Sequence, residues 1–275
     1  MTIQQTQRSN ESLTSRPRLL HTEDVEVEHS NGNGNGANGN GRARRLPTID
    51  GRVVDPNEIS AEVESMGAEE AVAWAIETFG SDLGFAISFQ KTSSVIIDIA
   101  HRIDPSVRFF YLDTELLFPE TYETRDALAA RYGIEFERFV QDNPPRLRER
   151  WEAGEWGKGD DCCATRKVET MRRALDGTDC WVSGVRRLDS ATRAEASRFG
   201  WDPRFDRWKL NPLVDWDDRT VWNYIKDHHV PYNPLHDQGY PSIGCMPCTT
   251  RPEAEGDPRA GRWAGTDRTE CGLNG

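Results

Sequence analysis

Apolar residues recur at helical spacing from residue 58 to 79, where Ile59, Val63, Met66, Val72, Trp74 and Ile76 share a face, and Gly80 and Gly84 close the run. Short apolar runs then alternate with amphipathic ones. Residues 85–89, 107–112, 134–140 and 180–184 read as strands, while 95–100, 119–132 and 162–175 read as helices. Strands that alternate with helices predict right-handed crossovers and an α/β fold, a parallel sheet with helices on both faces. Ligands of such sheets sit beyond the carboxyl ends of the strands. Three strand ends are polar: Ser88 to Ser93, Asp113 to Glu115, and Ser183 to Arg187. Past residue 200 the regular pattern fades to one further helix, residues 216–228. The stretch 231–275 is rich in proline, glycine and charge, and its cysteines at 245, 248 and 271 favour a functional lid over a structureless end.

The first 50 residues lack hydrophobic periodicity and include the run NGNGNGANGNG, which buries no apolar surface, so this segment reads as a disordered tail. Its six basic and six acidic residues cancel, leaving the net charge of −12 to residues 51–275. That charge argues against nucleic acid and a polybasic membrane patch as partners. No apolar run is long enough for a transmembrane helix and no secretory core opens the chain, so the expected location is cytoplasmic. The domain expectation is a tail over 1–50, a body over 51–250 and a C-terminal tail over 251–275. Homo-oligomerisation is left open.

Chemistry enters with the six cysteines. Cys162-Cys163 and the CxxC of Cys245 and Cys248 offer thiolates for a tetrahedral zinc or a 4Fe–4S cluster. An adjacent pair converges on one metal ion only with strain, whereas each of its sulfurs reaches a different corner of an iron–sulfur cube. The cluster is therefore the better match, and disulfides are disfavoured in a reducing compartment. Cys180 lies in an apolar strand and reads as a core residue. Cys271, near a terminus and preceded by Arg259, Arg262 and Arg268, reads equally as a nucleophile or as a spare thiol.

Between residues 166 and 209 there are eleven Lys/Arg against seven Asp/Glu, a cationic island in an acidic chain. Arg186, Arg187 and Arg193 share one loop, and guanidinium groups suit phosphate or sulfate. Lys167 follows Cys163 by one helical turn and shares its side. A small anionic ligand explains the island better than a solvated face does. Asp160 and Asp161 are candidate N-caps for the helix that follows.

Together, Cys162-Cys163-Ala-Thr-Arg166-Lys167-Val, the loop Ser183 to Glu195 (SGVRRLDSATRAE), Gly239 to Thr249 (GYPSIGCMPCT) and Glu270-Cys271-Gly-Leu resemble the assimilatory adenosine 5′-phosphosulfate reductases of the iron–sulfur type. The resemblance runs from about residue 58 onward. It implies an adenine nucleotide α-hydrolase-like fold with a mobile C-terminal tail. It also implies a 4Fe–4S cofactor on Cys162, Cys163, Cys245 and Cys248, with Cys271 as catalytic nucleophile. The expected substrate contacts are Ser88, Leu112, Thr114, Lys167, Gly184, Arg186, Arg193, Arg259 and Arg262. The implied activity is reduction of adenosine 5′-phosphosulfate to sulfite and AMP through an S-sulfocysteine, with thioredoxin or a similar dithiol as donor. The related reductases of the 3′-phosphorylated nucleotide keep the terminal cysteine but lack the CC and CxxC motifs, so all four cluster cysteines imply the unphosphorylated substrate. Such a 3′-phosphorylated-substrate reductase is the alternative; a non-enzymatic iron–sulfur nucleotide sensor and a zinc protein rank lower.

Overall fold

The computed structural model describes residues 48–49, 52–141, 152–153, 161–253, 257–264 and 268–273. The tail expected over 1–50 lies outside these except at Thr48–Ile49 (β1), which pairs antiparallel with Arg52–Val53 (β2) and buries Ile49 in the core. Asp160 also lies outside the described residues.

The helical run expected over 58–79 is two helices, α1 (Pro56–Glu64) and α2 (Ala68–Phe79). Asp55 caps α1 by accepting the Asn57 N–H at 2.8 Å, with Pro56 at the first helical position. Gly67, extended at φ −72° and ψ 168°, separates the two, and Glu70 folds back to accept its N–H at 3.3 Å. Gly84 does not break a helix; it lies inside β3 (Leu83–Ile87), where a Cβ would meet the Phe110 ring at 3.0 Å. α3 (Lys91–Ile103), β4 (Arg108–Asp113), α4 (Pro119–Tyr132) and β5 (Glu137–Val140) follow in the expected order. α5 spans residues 161–174, and its middle, Ala164–Glu169, is a π-helical segment between two α-helical ends. Next come β6 (Cys180–Val182), β7 (Phe199–Asp202), β8 (Arg207–Leu210) and α6 (Asp218–Asp227).

The strand order is β5-β4-β3-β6-β8-β7, parallel throughout except for β7, which runs antiparallel at the edge. β8 escapes the sequence reading because half the side chains of Arg207-Trp-Lys-Leu210 are cationic, and its edge partner β7, Phe199-Gly-Trp-Asp202, is interrupted by a glycine. Trp208 nevertheless points into the core, stacked on Phe199 at 4.7 Å. Period-2 alternation gives the sheet two apolar faces. Phe85, Phe109, Val182 and Trp208 join α2, α3 and α6 in one core, while Phe110 and Trp181 meet Met171 and Leu175 on the other face. Cys180 is buried in the first core, as its apolar neighbours suggest, and burial, then Asp179, holds its thiol well above the ordinary range.

Connections leaving β3 run through β4 to β5 on one side, after which the chain returns to β6 on the other. The order thus reverses between β3 and β6, which opens a crevice at their carboxyl ends.

Candidate active site

Ser88, Leu112, Thr114 and Gly184, the residues that end or follow β3, β4 and β6, line a cavity of about 190 Å³ in that crevice. β3 turns into α3 through Phe89, a buried residue in the left-handed region at φ 56°, a conformation that surrounding contacts must hold. Those contacts are Ser93 Oγ, which accepts the Ser88 N–H at 3.1 Å and meets Ser88 Oγ at 2.8 Å. Gly184 abuts the same turn: a Cβ there would sit 2.6 Å from Thr92 Oγ1. The segment after α6 closes over α3 from outside. Ile243 donates its N–H to Gln90 Oε1 at 2.8 Å, and Lys91 donates its N–H to His236 Nε2 at 3.3 Å. Burial, then Lys91, pushes the His236 imidazole down to about 4, so the ring is neutral near pH 7. Its Nδ1–H then donates to Tyr240 O at 2.8 Å.

Beside this cavity lies a smaller one of about 10 Å³, lined by Cys162, Cys163, Cys245 and Cys248. The adjacent pair comes from the start of α5. The CxxC forms a 3₁₀ turn docked on the loop after β4, where Met246 donates its N–H to Leu116 O at 2.7 Å and Thr114 Oγ1 meets Cys245 Sγ at 3.2 Å. Behind them the buried Arg166 guanidinium donates to Thr114 O. None of the six cysteines is in a disulfide. Among the described residues no group of three or more His, Cys, Asp or Glu side chains is arranged around a single metal ion. Burial and then the neighbouring Cys245 push the Cys162 thiol up to about 11, and burial raises Cys163 and Cys248 as well. Thr114, Lys167 and Arg262 line both cavities. The π-helical turn carries Lys167 at this junction and Arg166 against the thiol-lined cavity, and such wide turns concentrate at functional sites.

Residues 268–273 lie docked across the crevice, with Cys271 lining the large cavity and packed against Cys163 and Trp263. Glu270 is the anchor. It accepts from Arg193 Nε and Nη2, both at 2.9 Å, from Arg259 Nη2 at 3.0 Å and from Thr192 Oγ1 at 3.3 Å. Arg204 donates to Gly272 O, and Leu273 packs on the second core. Gly272, at φ 87°, turns the chain there in a conformation that L side chains rarely adopt. Burial opposes ionisation of Cys271, but Lys167, the Leu273 N–H and Arg262 outweigh it and hold this thiol below its ordinary range. The Cys271 thiol on a docked tail thus faces the strand ends, with cations beside it and a thiol-lined cavity behind.

The family model for the phosphoadenosine phosphosulfate reductase domain matches residues 82–251. The adenosine 5′-phosphosulfate reductase of Salinibacter ruber is 40% identical over 220 residues, 78% of this chain and 87% of that protein. The enzyme of that name from Staphylococcus epidermidis is 39% identical over 236 residues, 82% and 96% of the two chains. The chain belongs to this sulfonucleotide reductase family. Among solved structures, a phosphoadenylyl-sulfate reductase from Candida auris in complex with phosphate superposes with a TM-score of 0.62 at 28% identity, over 70% of this chain and 95% of that one. The architecture is the adenine nucleotide α-hydrolase-like fold that the sequence resemblance implies.

Within this reductase, Ser88, Leu112, Thr114, Lys167, Gly184, Arg186, Arg193, Arg259, Arg262 and Cys271 all line one cavity. Their engagement differs. Arg186 donates through Nε and Nη2 to Asp189 Oδ1 at 3.0 and 2.9 Å, and its Nη2 lies 2.7 Å from Asp218. Arg187 is turned outward onto Glu64. Asp113 is consumed by the turn it starts, accepting from Tyr122 Oη and Arg138 Nε, each at 2.7 Å. Three contributors escape the sequence reading: Glu270 as anchor, His236 beneath α3, and Trp263. The Trp263 ring lies 5.2 Å from the Arg259 guanidinium and 4.6 Å from that of Arg262. The ECGL motif offered a signal for Glu270; none in the sequence pointed to the other two.

Two expectations follow directly. Removing the Glu270 carboxylate takes away the carboxylate of Arg259 and leaves Arg193 with Asp189 alone, and each charge-assisted bond contributes about 1.5–3 kcal/mol. In Glu270→Ala, amide hydrogen exchange over residues 268–273 should accelerate by at least about tenfold, the equivalent of ~1.4 kcal/mol. Exchange at the wild-type rate would show that the carboxylate does not hold the tail. Gly244 lies under the Arg262 guanidinium, which a Cβ would overlap, while Arg262 Nη1 donates to Ser242 Oγ and Ile243 O, both at 3.2 Å. Gly244→Ala should displace Arg262 and lower kcat/KM roughly 10- to 100-fold with the fold intact by circular dichroism, since misplacement by about 1 Å costs that order.

Proposed function

We propose that the protein reduces adenosine 5′-phosphosulfate to sulfite and AMP, acting in a reducing, cytoplasmic compartment with thioredoxin or a similar dithiol as electron donor. The observation that carries this reading is the placement of Cys271 in the strand-end crevice beside Lys167 and Arg262. The Cys271 thiolate attacks the sulfur of the phosphosulfate, an S–S bond forms, the sulfur–oxygen bond to the phosphate breaks, and AMP departs with the electron pair. A donor thiolate then attacks Cys271 Sγ and releases sulfite, and the second donor thiol displaces Cys271 from the mixed disulfide, so the dithiol supplies both electrons. Lys167 and Arg262 offset the negative charge that gathers as a thiolate nears an anionic sulfuryl group. The docked tail keeps water from the crevice. Ser88, Leu112, Thr114 and Gly184 provide the nucleotide's seat, with Arg193 and Arg259 at its rim.

Cys162, Cys163, Cys245 and Cys248 fit a 4Fe–4S cluster: four thiols and no carboxylate or imidazole line their cavity. When bound, the cluster supplies a fixed charged centre behind Lys167, and sulfur transfer requires no change in its redox state. Cys245→Ser should lose most of the protein's iron and visible absorbance after anaerobic purification. Full iron content in that variant would contradict the ligand set.

The reaction is tested by steady-state kinetics with both sulfonucleotides and a thioredoxin-type donor. The expected kcat/KM favours adenosine 5′-phosphosulfate; a preference for the 3′-phosphorylated nucleotide would move the protein to the alternative activity.

A further inference from the structure

The cations lining the large cavity fall into two sets. Lys91, Arg186, Arg193 and Arg259 each hold a carboxylate. Lys91 Nζ lies 2.7 Å from Asp218 Oδ2, Arg186 Nη2 lies 2.7 Å from Asp218 Oδ1, and Arg193 and Arg259 share Glu270. Asp189 adds a second acceptor to Arg186 and to Arg193. Lys167 and Arg262, by contrast, have no carboxylate partner among the described residues.

Asp218 is the telling member of the first set. It is the first residue of α6, just inside the Asp217 N-cap, and it does not line the cavity. Its side chain is 59% exposed, while those of Lys91 and Arg186 are only 7% and 4% exposed. One carboxylate reaching in from outside therefore occupies two buried cations at the start of α3 and on the loop after β6. A phosphosulfate carries one negative charge on its phosphate and one on its sulfate, which Lys167 and Arg262, the two cations without a carboxylate partner among the described residues, match. A further phosphate on the ribose would add about −1.5 to −2 at pH 7, and among the described residues every other cation lining the cavity already holds a carboxylate.

We propose that Asp218 is a specificity determinant. By occupying Lys91 and Arg186 it keeps the nucleotide pocket from accepting a second phosphate, and so selects the singly phosphorylated sulfonucleotide. This rests on the function proposed above and names a residue outside the pocket lining that enforces its substrate choice. Discrimination arises from withheld positive charge rather than from a steric block.

The test is Asp218→Asn, which keeps the shape and removes the charge, with Asp217→Asn as a control for net charge on the same helix; Asp217 caps through Thr220 and forms no ion pair among the described residues. The ratio of kcat/KM for adenosine 5′-phosphosulfate to that for its 3′-phosphorylated analogue should fall at least tenfold in Asp218→Asn and stay within twofold in Asp217→Asn. An unchanged ratio in Asp218→Asn, or an equal fall in both variants, overturns the inference while leaving the proposed function standing. A wild-type preference for the 3′-phosphorylated substrate overturns both. A measurement independent of the variants uses the wild-type protein: adenosine 3′,5′-bisphosphate should inhibit no more tightly than AMP, and tenfold tighter inhibition by the bisphosphate overturns the proposal.

Discussion

Replacing Cys271 with serine is expected to lower sulfite formation by at least about 10³-fold, with AMP affinity within about threefold of wild type and iron content unchanged. The magnitude follows from chemistry rather than packing. A serine hydroxyl is scarcely ionised near neutral pH and forms no S–S bond, so the first step has no nucleophile. Cys271 is otherwise a small side chain packed against Cys163 and Trp263, and serine fits that space. Equilibrium binding of AMP separates the two effects. Residual turnover within tenfold of wild type would remove Cys271 from the mechanism, whereas lost AMP binding would reassign it to the architecture of the pocket.

The second large effect is expected at Lys167. This side chain stands where the two cavities meet, exerts the largest favourable electrostatic influence on Cys271, and has no carboxylate to neutralise it among the described residues. Losing one preorganised charge-stabilising donor typically costs about 10²–10³ in rate. Lys167→Gln should therefore lower kcat by that factor with a smaller change in KM, because the demand for positive charge is greatest as thiolate and sulfuryl group approach. Lys167→Arg should recover part of the loss, since it restores charge without the same point geometry. A rise in KM with kcat unchanged would make Lys167 a ground-state binding residue instead.

Much of this arrangement is legible in the sequence because it depends on local patterns. Strands such as Phe85-Ala-Ile are continuously apolar, which is how a sheet covered on both faces is written, and the polar residues that end them mark the crevice. The cysteines are legible by spacing, and Cys180 by its apolar neighbours. What stays hidden depends on contacts between distant segments. Arg207 and Lys209 disguise β8 as a loop, since nothing local says that Trp181 lies over Lys209, whose ammonium sits 4.5 Å from that ring. The Gly67 break between α1 and α2 is masked by an apolar pattern that stays in phase across it. Arg186 reads as an anion-binding residue from its loop, yet its donors meet Asp189 and Asp218, the latter 32 residues further along the chain. Glu270 likewise gains its meaning only when the tail folds back beside Arg193. Charge in the sequence identifies the island; only the fold shows which cations remain unpaired.

The central claim is that Cys271 receives the sulfonate. The direct measurement is mass spectrometry of the reductase incubated with adenosine 5′-phosphosulfate in the absence of any dithiol, followed by proteolysis. The account predicts one sulfonate on the peptide containing Cys271, formed stoichiometrically with released AMP and removed as sulfite when a thioredoxin-type dithiol is added. AMP release with no adduct on Cys271, or an adduct on another cysteine, would contradict it.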